Sequence, residues 1–160
     1  MIYAFIPARS GSTRLKNKNI KKINNRPLIY YTVLVAIKSK YIDKVIFSSD
    51  SKKYYNNLCK YLLQDGISLN KLIFDHREKK FSTSKYKIFD YFKILFLDFK
   101  KFTKKDLIIQ LLPTSPLRSL NTLNKVIEYS LKNEVNIFTA CEYDFHVSFS
   151  FNIIGSKWKS

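Results

Sequence analysis

Glycine and proline are scarce, with three and four in 160 residues, and there is no low-complexity linker or internal repeat. The two cysteines, Cys59 and Cys141, lie far apart without metal-ligand spacing. That argues against a disulfide scaffold and a zinc site, and reads as core thiols in a reducing compartment. Apolar runs are short and interrupted by Lys, Asn or Ser, so no transmembrane helix is expected. The N-terminus has neither a basic n-region nor a long h-region, so a secretory signal is not expected and the cytoplasm is the default compartment. Acidic residues are few, 12 against 29 Lys and Arg, giving a formal charge of +17. Arginine is rare within that basic set, with only Arg9, Arg14, Arg26, Arg77 and Arg118.

The charge invites a nucleic-acid reading, but the lysines are scattered along the chain and no basic stripe or Arg-rich segment stands out. Lys, Asn, Ile, Tyr and Phe, all favoured by AT-rich codons, make up nearly half of the residues. Genome composition therefore accounts for much of the charge, and a solvated Lys-rich surface is the simpler reading. The chain is 46% hydrophobic, enough for the core of one domain over residues 1–160.

Strand-like and helical runs alternate. Strands are expected at Tyr3 to Ile6, Lys44 to Ser49, Leu72 to Phe74, Leu107 to Leu111 and Asn136 to Cys141. Helices are expected from Pro27 to Ile37, Ser51 to Gln64, Ser84 to Phe99 and Asn121 to Leu131, with Gly66 stopping the second. This order predicts an α/β fold, a Rossmann-like mostly parallel sheet flanked by helices. In such sheets ligands bind beyond the carboxyl ends of the strands. That selects the loop after Ile6, the neighbourhood of Asp50, and the loop after Leu111.

The first loop, Pro7 to Asn19, is the most distinctive segment. It is not a Walker A loop, since the G-x-x-x-x-G-K-[ST] spacing is absent. A Gly-Ser turn at Gly11 and Ser12 can turn backbone N–H groups toward an anion, and Arg9, Arg14 and Lys18 can neutralise a polyphosphate. A basic surface loop is the plainer alternative. Asp50 is expected as the N-terminal cap of the following helix, with orientation of loop groups or assistance to a metal as alternatives.

The order Ile6-Pro7-Ala8-Arg9-Ser10-Gly11-Ser12-Thr13-Arg14-Leu15-Lys16-Asn17-Lys18-Asn19 resembles the N-terminal signature of the acylneuraminate cytidylyltransferases (CMP-sialic acid synthetases), a branch of the sugar nucleotidyltransferases. Leu111 to Arg118 is similar to the family's L-L-Q-P-T-S-P-L-R, and Val45 to Asp50 to its second-strand block. The resemblance implies a nucleotide-diphospho-sugar transferase-like fold, and attack by a sugar hydroxyl on the α-phosphate of CTP. The partners it implies are CTP and a nine-carbon acidic sugar, with Mg2+ as cofactor and a homodimer for the full-length enzyme. The implied catalytic residues are Arg9 and Lys18. The implied nucleotide site comprises Ala8, Arg9, Gly11, Ser12, Lys18, Asn19 and Arg77, the last reading the cytosine edge. Thr114 and Ser115 would lie at the sugar–nucleotide junction, or simply cap the turn between Pro113 and Pro116. Arg77 can equally be a surface cation, and Arg118 is expected in a helix-capping role, with binding of a carboxylate as the alternative.

The sequence also departs from the family pattern. Leu112 replaces the family's Gln, Glu78 replaces the Pro after Arg77, and no D-x-D metal motif is present. The family's sugar-binding lysine has no counterpart near Val147 to Phe151. The expectation is a single nucleotidyltransferase domain lacking the family's C-terminal segment, with no metal ligand assigned. A nucleic-acid-binding protein and a non-catalytic remnant paired with a longer synthetase are the competing readings.

Overall fold

The computed structural model describes residues 1–12, 15–83, 86–97, 102–140, 152–154 and 157–159. In chain order the elements are β1 (Ile2–Pro7), the two-residue strands β2 (Lys22–Ile23) and β3 (Arg26–Pro27), α1 (Leu28–Lys38) and β4 (Lys44–Ser49). There follow α2 (Lys52–Gln64), β5 (Leu72–His76), α3 (Ile88–Leu97), β6 (Leu107–Gln110), α4 (Leu120–Asn133), β7 (Asn152–Ile154) and β8 (Lys157–Lys159). Single 3-10 turns cover Lys18–Ile20 and Lys79–Ser82. No described helix is long and apolar enough to cross a membrane.

Two compact units are present, Met1–Glu128 and Tyr129–Ser160. In the first, the four-stranded sheet has the order β5-β4-β1-β6, and every pairing in that sheet is parallel. The expected α/β architecture is therefore what forms. The order reverses between β1 and β6, which makes the gap beyond their carboxyl ends the topological switch point. In the second unit β7 and β8 pair antiparallel, with Ile153 opposite Trp158.

Alternation along the strands builds two cores. Ala4 and Ile6 of β1, with Val45 and Phe47 of β4, join Ile29, Val33, Leu58, Leu62, Leu123 and Ile127 from α1, α2 and α4. Phe5 and Ile46 point the other way, and join Tyr91, Leu95 and Phe102. A strand side chain and its neighbour face opposite sides, so a parallel sheet covered on both faces needs apolar residues at consecutive positions. The helix ends follow local chemistry. Ser51 caps α2 by accepting from the Tyr54 N–H at 3.3 Å. At its other end Gly66 is left-handed at φ 70, the Gly66 N–H reaches the Leu63 carbonyl at 3.0 Å, and the Ile67 N–H reaches that of Leu62 at 2.9 Å. This double bond pattern is a Schellman stop, as expected from Gly66.

Two expectations need correction, and one element is additional. Residues 136–140 form no strand, since a run of β-formers becomes one only where a neighbour supplies the ladder, and here the segment is exposed; Cys141 lies outside the described residues. The third helix starts at Ile88, after the 3-10 turn, rather than at Ser84; Ser84 and Phe99 lie outside the described residues. The loop after β1 is followed by a hairpin that the sequence reading passed over. Asn24 and Asn25 both take positive φ, 45 and 62, the turn geometry that suits strand twist in a two-residue hairpin.

That hairpin is held to the end of α2 through Asp65. Its carboxylate accepts from Arg26 Nε at 2.8 Å, from Arg26 Nη2, and from the Tyr30 hydroxyl at 2.6 Å. The Arg26 bonds first, then Tyr30, hold the Asp65 carboxyl down to about 2. A depressed carboxylate contributes stability that is complete above its unfolded value of about 3.9 and is lost as pH falls toward 2. Asp65→Asn is therefore expected to be less stable than the parent at pH 7, with the gap closing between about pH 4 and 2. Urea unfolding at a series of pH values checks this.

Candidate active site

The loop after β1 is tied down at three points before any ligand is considered. Ala8 is fully buried; its N–H donates to the Ser48 carbonyl at 2.9 Å and its carbonyl accepts from the Ser49 hydroxyl at 2.8 Å. Asp50 accepts from the Ser10 N–H at 2.8 Å and from the Ser10 hydroxyl at 2.7 Å. Asn19, 6% exposed, donates from its amide nitrogen to the Arg9 carbonyl at 3.0 Å, drawing the two ends of the loop together. Asp50 is thus not the cap of α2, a task Ser51 performs. It orients loop groups instead, because its two oxygens match the two donors of Ser10.

The loop opens onto a cleft of about 580 Å³ at the switch point between β1 and β6. Arg9, Ser12, Lys18, Asn19, Arg77 and Thr114 all line it, so six of the expected site residues come together. Ala8 stands behind the loop as a packed anchor, and Gly11 and Ser115 are exposed but outside the lining. The Ser12 N–H donates to the Ser10 carbonyl at 2.9 Å, so it is engaged within the loop rather than turned to an anion as expected. Gly11 does not need a left-handed backbone, and a side-chain carbon there would meet nothing within 4 Å. Arg14 lies outside the described residues.

Arg77 is no surface cation. It is 5% exposed, donates from Nη2 to the Ser48 carbonyl at 3.1 Å, and sits 5.3 Å from the Tyr91 ring centre. Its Nε is buried without a partner. Burial, and secondarily the neighbouring Arg9 charge, push its pKa down, while Tyr91, Asp75 and Asp50 oppose that shift. Arg118 does not cap α4; the Ser119 hydroxyl accepts from the Thr122 N–H at 3.0 Å in that role. The Arg118 guanidinium is partly buried, with Nη1 unpaired, and burial lowers its pKa.

Three cations line the cleft and no described lining residue is Asp or Glu. Such a set favours a polyanion, since guanidinium and ammonium groups supply charge and donors but no acceptors. Beside the cations and the polar Ser12, Asn19, Thr83 and Thr114, the lining includes the apolar or aromatic Leu15, Phe81, Tyr86, Ile88 and Leu112. Sequence reasoning missed Phe81, Tyr86 and Ile88, for which no local motif points to a ligand. Among the described residues no three His, Cys, Asp or Glu side chains converge as a metal site.

Comparison with known proteins gives the same direction. The family model described as Cytidylyltransferase matches residues 3–156. The chain is 32% identical over 145 residues to an N-acylneuraminate cytidylyltransferase of Streptococcus agalactiae serotype V, covering 89% of this chain and 32% of that protein. It is 31% identical over 131 residues to the CMP-N,N'-diacetyllegionaminic acid synthase of Legionella pneumophila, covering 79% and 52%. The chain thus spans about a third to a half of the length of these relatives. Among solved structures, CMP:2-keto-3-deoxy-manno-octonic acid synthetase complexed with CTP superposes with a TM-score of 0.60 at 17% identity, over 83% of this chain and 48% of that one. At that identity the likeness concerns the fold.

The Asp50–Ser10 pair is the local feature most open to test. A hydrogen bond to a charged group contributes about 1.5–3 kcal/mol. Asp50→Ala is expected to speed amide hydrogen exchange at Ser10 by at least about tenfold, leaving the amides of β4 and β5 protected. Exchange followed by NMR checks this.

Proposed function

The chain belongs to the cytidylyltransferase family, and from that premise we propose that its cleft binds CTP and directs transfer of the cytidylyl group to a nine-carbon acidic sugar. The observation that carries this reading is the cleft itself, with Arg9, Lys18 and Arg77 on its walls and no acidic residue in the described lining. In the reaction a sugar hydroxyl oxygen bonds to the α-phosphorus, the bond to the β-phosphate oxygen breaks, pyrophosphate leaves, and the hydroxyl proton is released. Such a step depends on alignment and charge stabilisation more than on covalent help from the protein. Arg9 and Lys18 hold the triphosphate and meet the charge that builds on the leaving pyrophosphate. Arg77 faces the base with donors only, which suits the O2 and N3 acceptors of cytosine. Thr114, four residues past β6, is assigned to the acceptor sugar in this reading; Ser115 beside it supports the turn by donating its N–H to the Leu112 carbonyl at 3.3 Å.

The magnesium that the family resemblance implies finds no cluster of carboxylates among the described residues, and Asp50 is committed to Ser10. No step is therefore assigned to a metal on these side chains.

Calorimetric titration with CTP tests the reading. Binding at or below millimolar CTP is expected, weakened about tenfold or more by Arg9→Ala or Lys18→Ala, the loss of about one charge-assisted contact. A folded chain that takes up no CTP at millimolar concentration would overturn it. Pyrophosphate release with a panel of nonulosonic acids then identifies the acceptor; CTP binding without release would reduce the function to nucleotide binding.

A further inference from the structure

Beneath the cleft four residues close a circuit. The Ser48 carbonyl accepts from Arg77 Nη2 at 3.1 Å, while the Ser48 hydroxyl donates to Asp75 Oδ2 at 2.7 Å. The same Asp75 oxygen accepts from the Tyr91 hydroxyl at 2.9 Å, and the Tyr91 ring carries the Arg77 guanidinium at 5.3 Å. Ser48 is fully buried, Tyr91 3% exposed, and Asp75 and Arg77 5% each. The four residues come from β4, β5, the segment after β5, and α3.

A buried guanidinium is costly to strand, and its five N–H donors lie in one plane. The plane matters here because the Arg77 Nε is buried without a protein partner in a residue that lines the cleft. A guanidinium that rotated about its stem would offer donors in any direction. One that lies over an aromatic ring, and whose Nη2 is pinned to a carbonyl, is restricted in the directions in which it offers them. The ring in turn is fixed through its hydroxyl, and Asp75 is fixed by Ser48.

We propose that Tyr91 and Asp75 are positioning residues that set the plane of the Arg77 guanidinium, and through it the preference of the cleft for cytosine over uracil nucleotides. The chemistry is that of the pyrimidine edge. Cytosine presents acceptors at O2 and N3, whereas uracil presents an N–H at position 3, which meets a donor-only fork unfavourably. A fork held in one plane makes that mismatch felt, and a loose one turns away from it. The proposal rests on the reading that Arg77 faces the base.

The test uses the whole chain and three probes: CTP, UTP and inorganic tripolyphosphate, which has no base. Tyr91→Phe keeps the ring that packs on Phe5 and Phe81 and removes only the hydroxyl held by Asp75. Ser48→Ala is the second variant, releasing Asp75 from the opposite side while leaving the Ser48 carbonyl in place. In each, the CTP-to-UTP affinity ratio is expected to fall three- to tenfold, with tripolyphosphate affinity within twofold of the parent. A fall in melting temperature with an unchanged ratio in folded variants would overturn the proposal and leave the circuit purely structural. Failure of the parent to bind CTP would instead overturn the functional reading above, so the two failures are distinct.

Discussion

The geometry of the cleft depends on one carboxylate. Asp50 stands at the end of β4 and accepts both donors of Ser10, so the loop after β1 is fixed to the neighbouring strand rather than left to solvent. Without that tie, the loop carrying Arg9 and Lys18 would lose one of its three anchors. Its effect is reinforced from below by Ala8 and from the side by Asn19. The parallel pairing of β1 with β4 sets the frame: Pro7 opposite Ser48 brings the two loop starts to one height.

Charge in this protein is abundant but organised at few positions. Lysines spread over the surface, whereas arginines occupy defined places. Arg26 clamps a hairpin to α2, Arg77 is buried under the cleft, and Arg9 lies on its wall. An arginine is chosen where a planar, permanently charged fork must be held in one orientation. The cleft combines these cations with aromatic and aliphatic side chains, a mix that suits a ligand carrying both a polyanionic and a flat group.

Much of this was legible in the sequence. Runs such as Tyr3 to Ile6 and Lys44 to Ser49 announce buried strands, and the loop signature picks out Arg9, Lys18 and Asn19. What failed were features set by tertiary partners. Asp50 before a helix reads as a cap, and only the neighbouring loop shows that its acceptors are taken by Ser10. Tyr91 and Phe81 carry no local motif, and nothing local links Tyr91 to a guanidinium fourteen residues earlier. The run from Asn136 is rich in β-formers, yet strand formation depends on a neighbour rather than on propensity alone. The Asn24–Asn25 turn, by contrast, carried a local signal, since asparagine tolerates the positive φ that a tight hairpin requires.

The central claim, that the cleft at the switch point holds a nucleoside triphosphate between Arg9 and Arg77, can be read directly because the chain has only five arginines. Their side-chain Nε–H resonances, assigned by substitution, should respond unequally to CTP. The account predicts that Arg9 and Arg77 shift and saturate together, with the Arg77 Nε–H becoming protected from exchange, while Arg26 stays in place. Saturable shifts at Arg26 with Arg77 unmoved would contradict it.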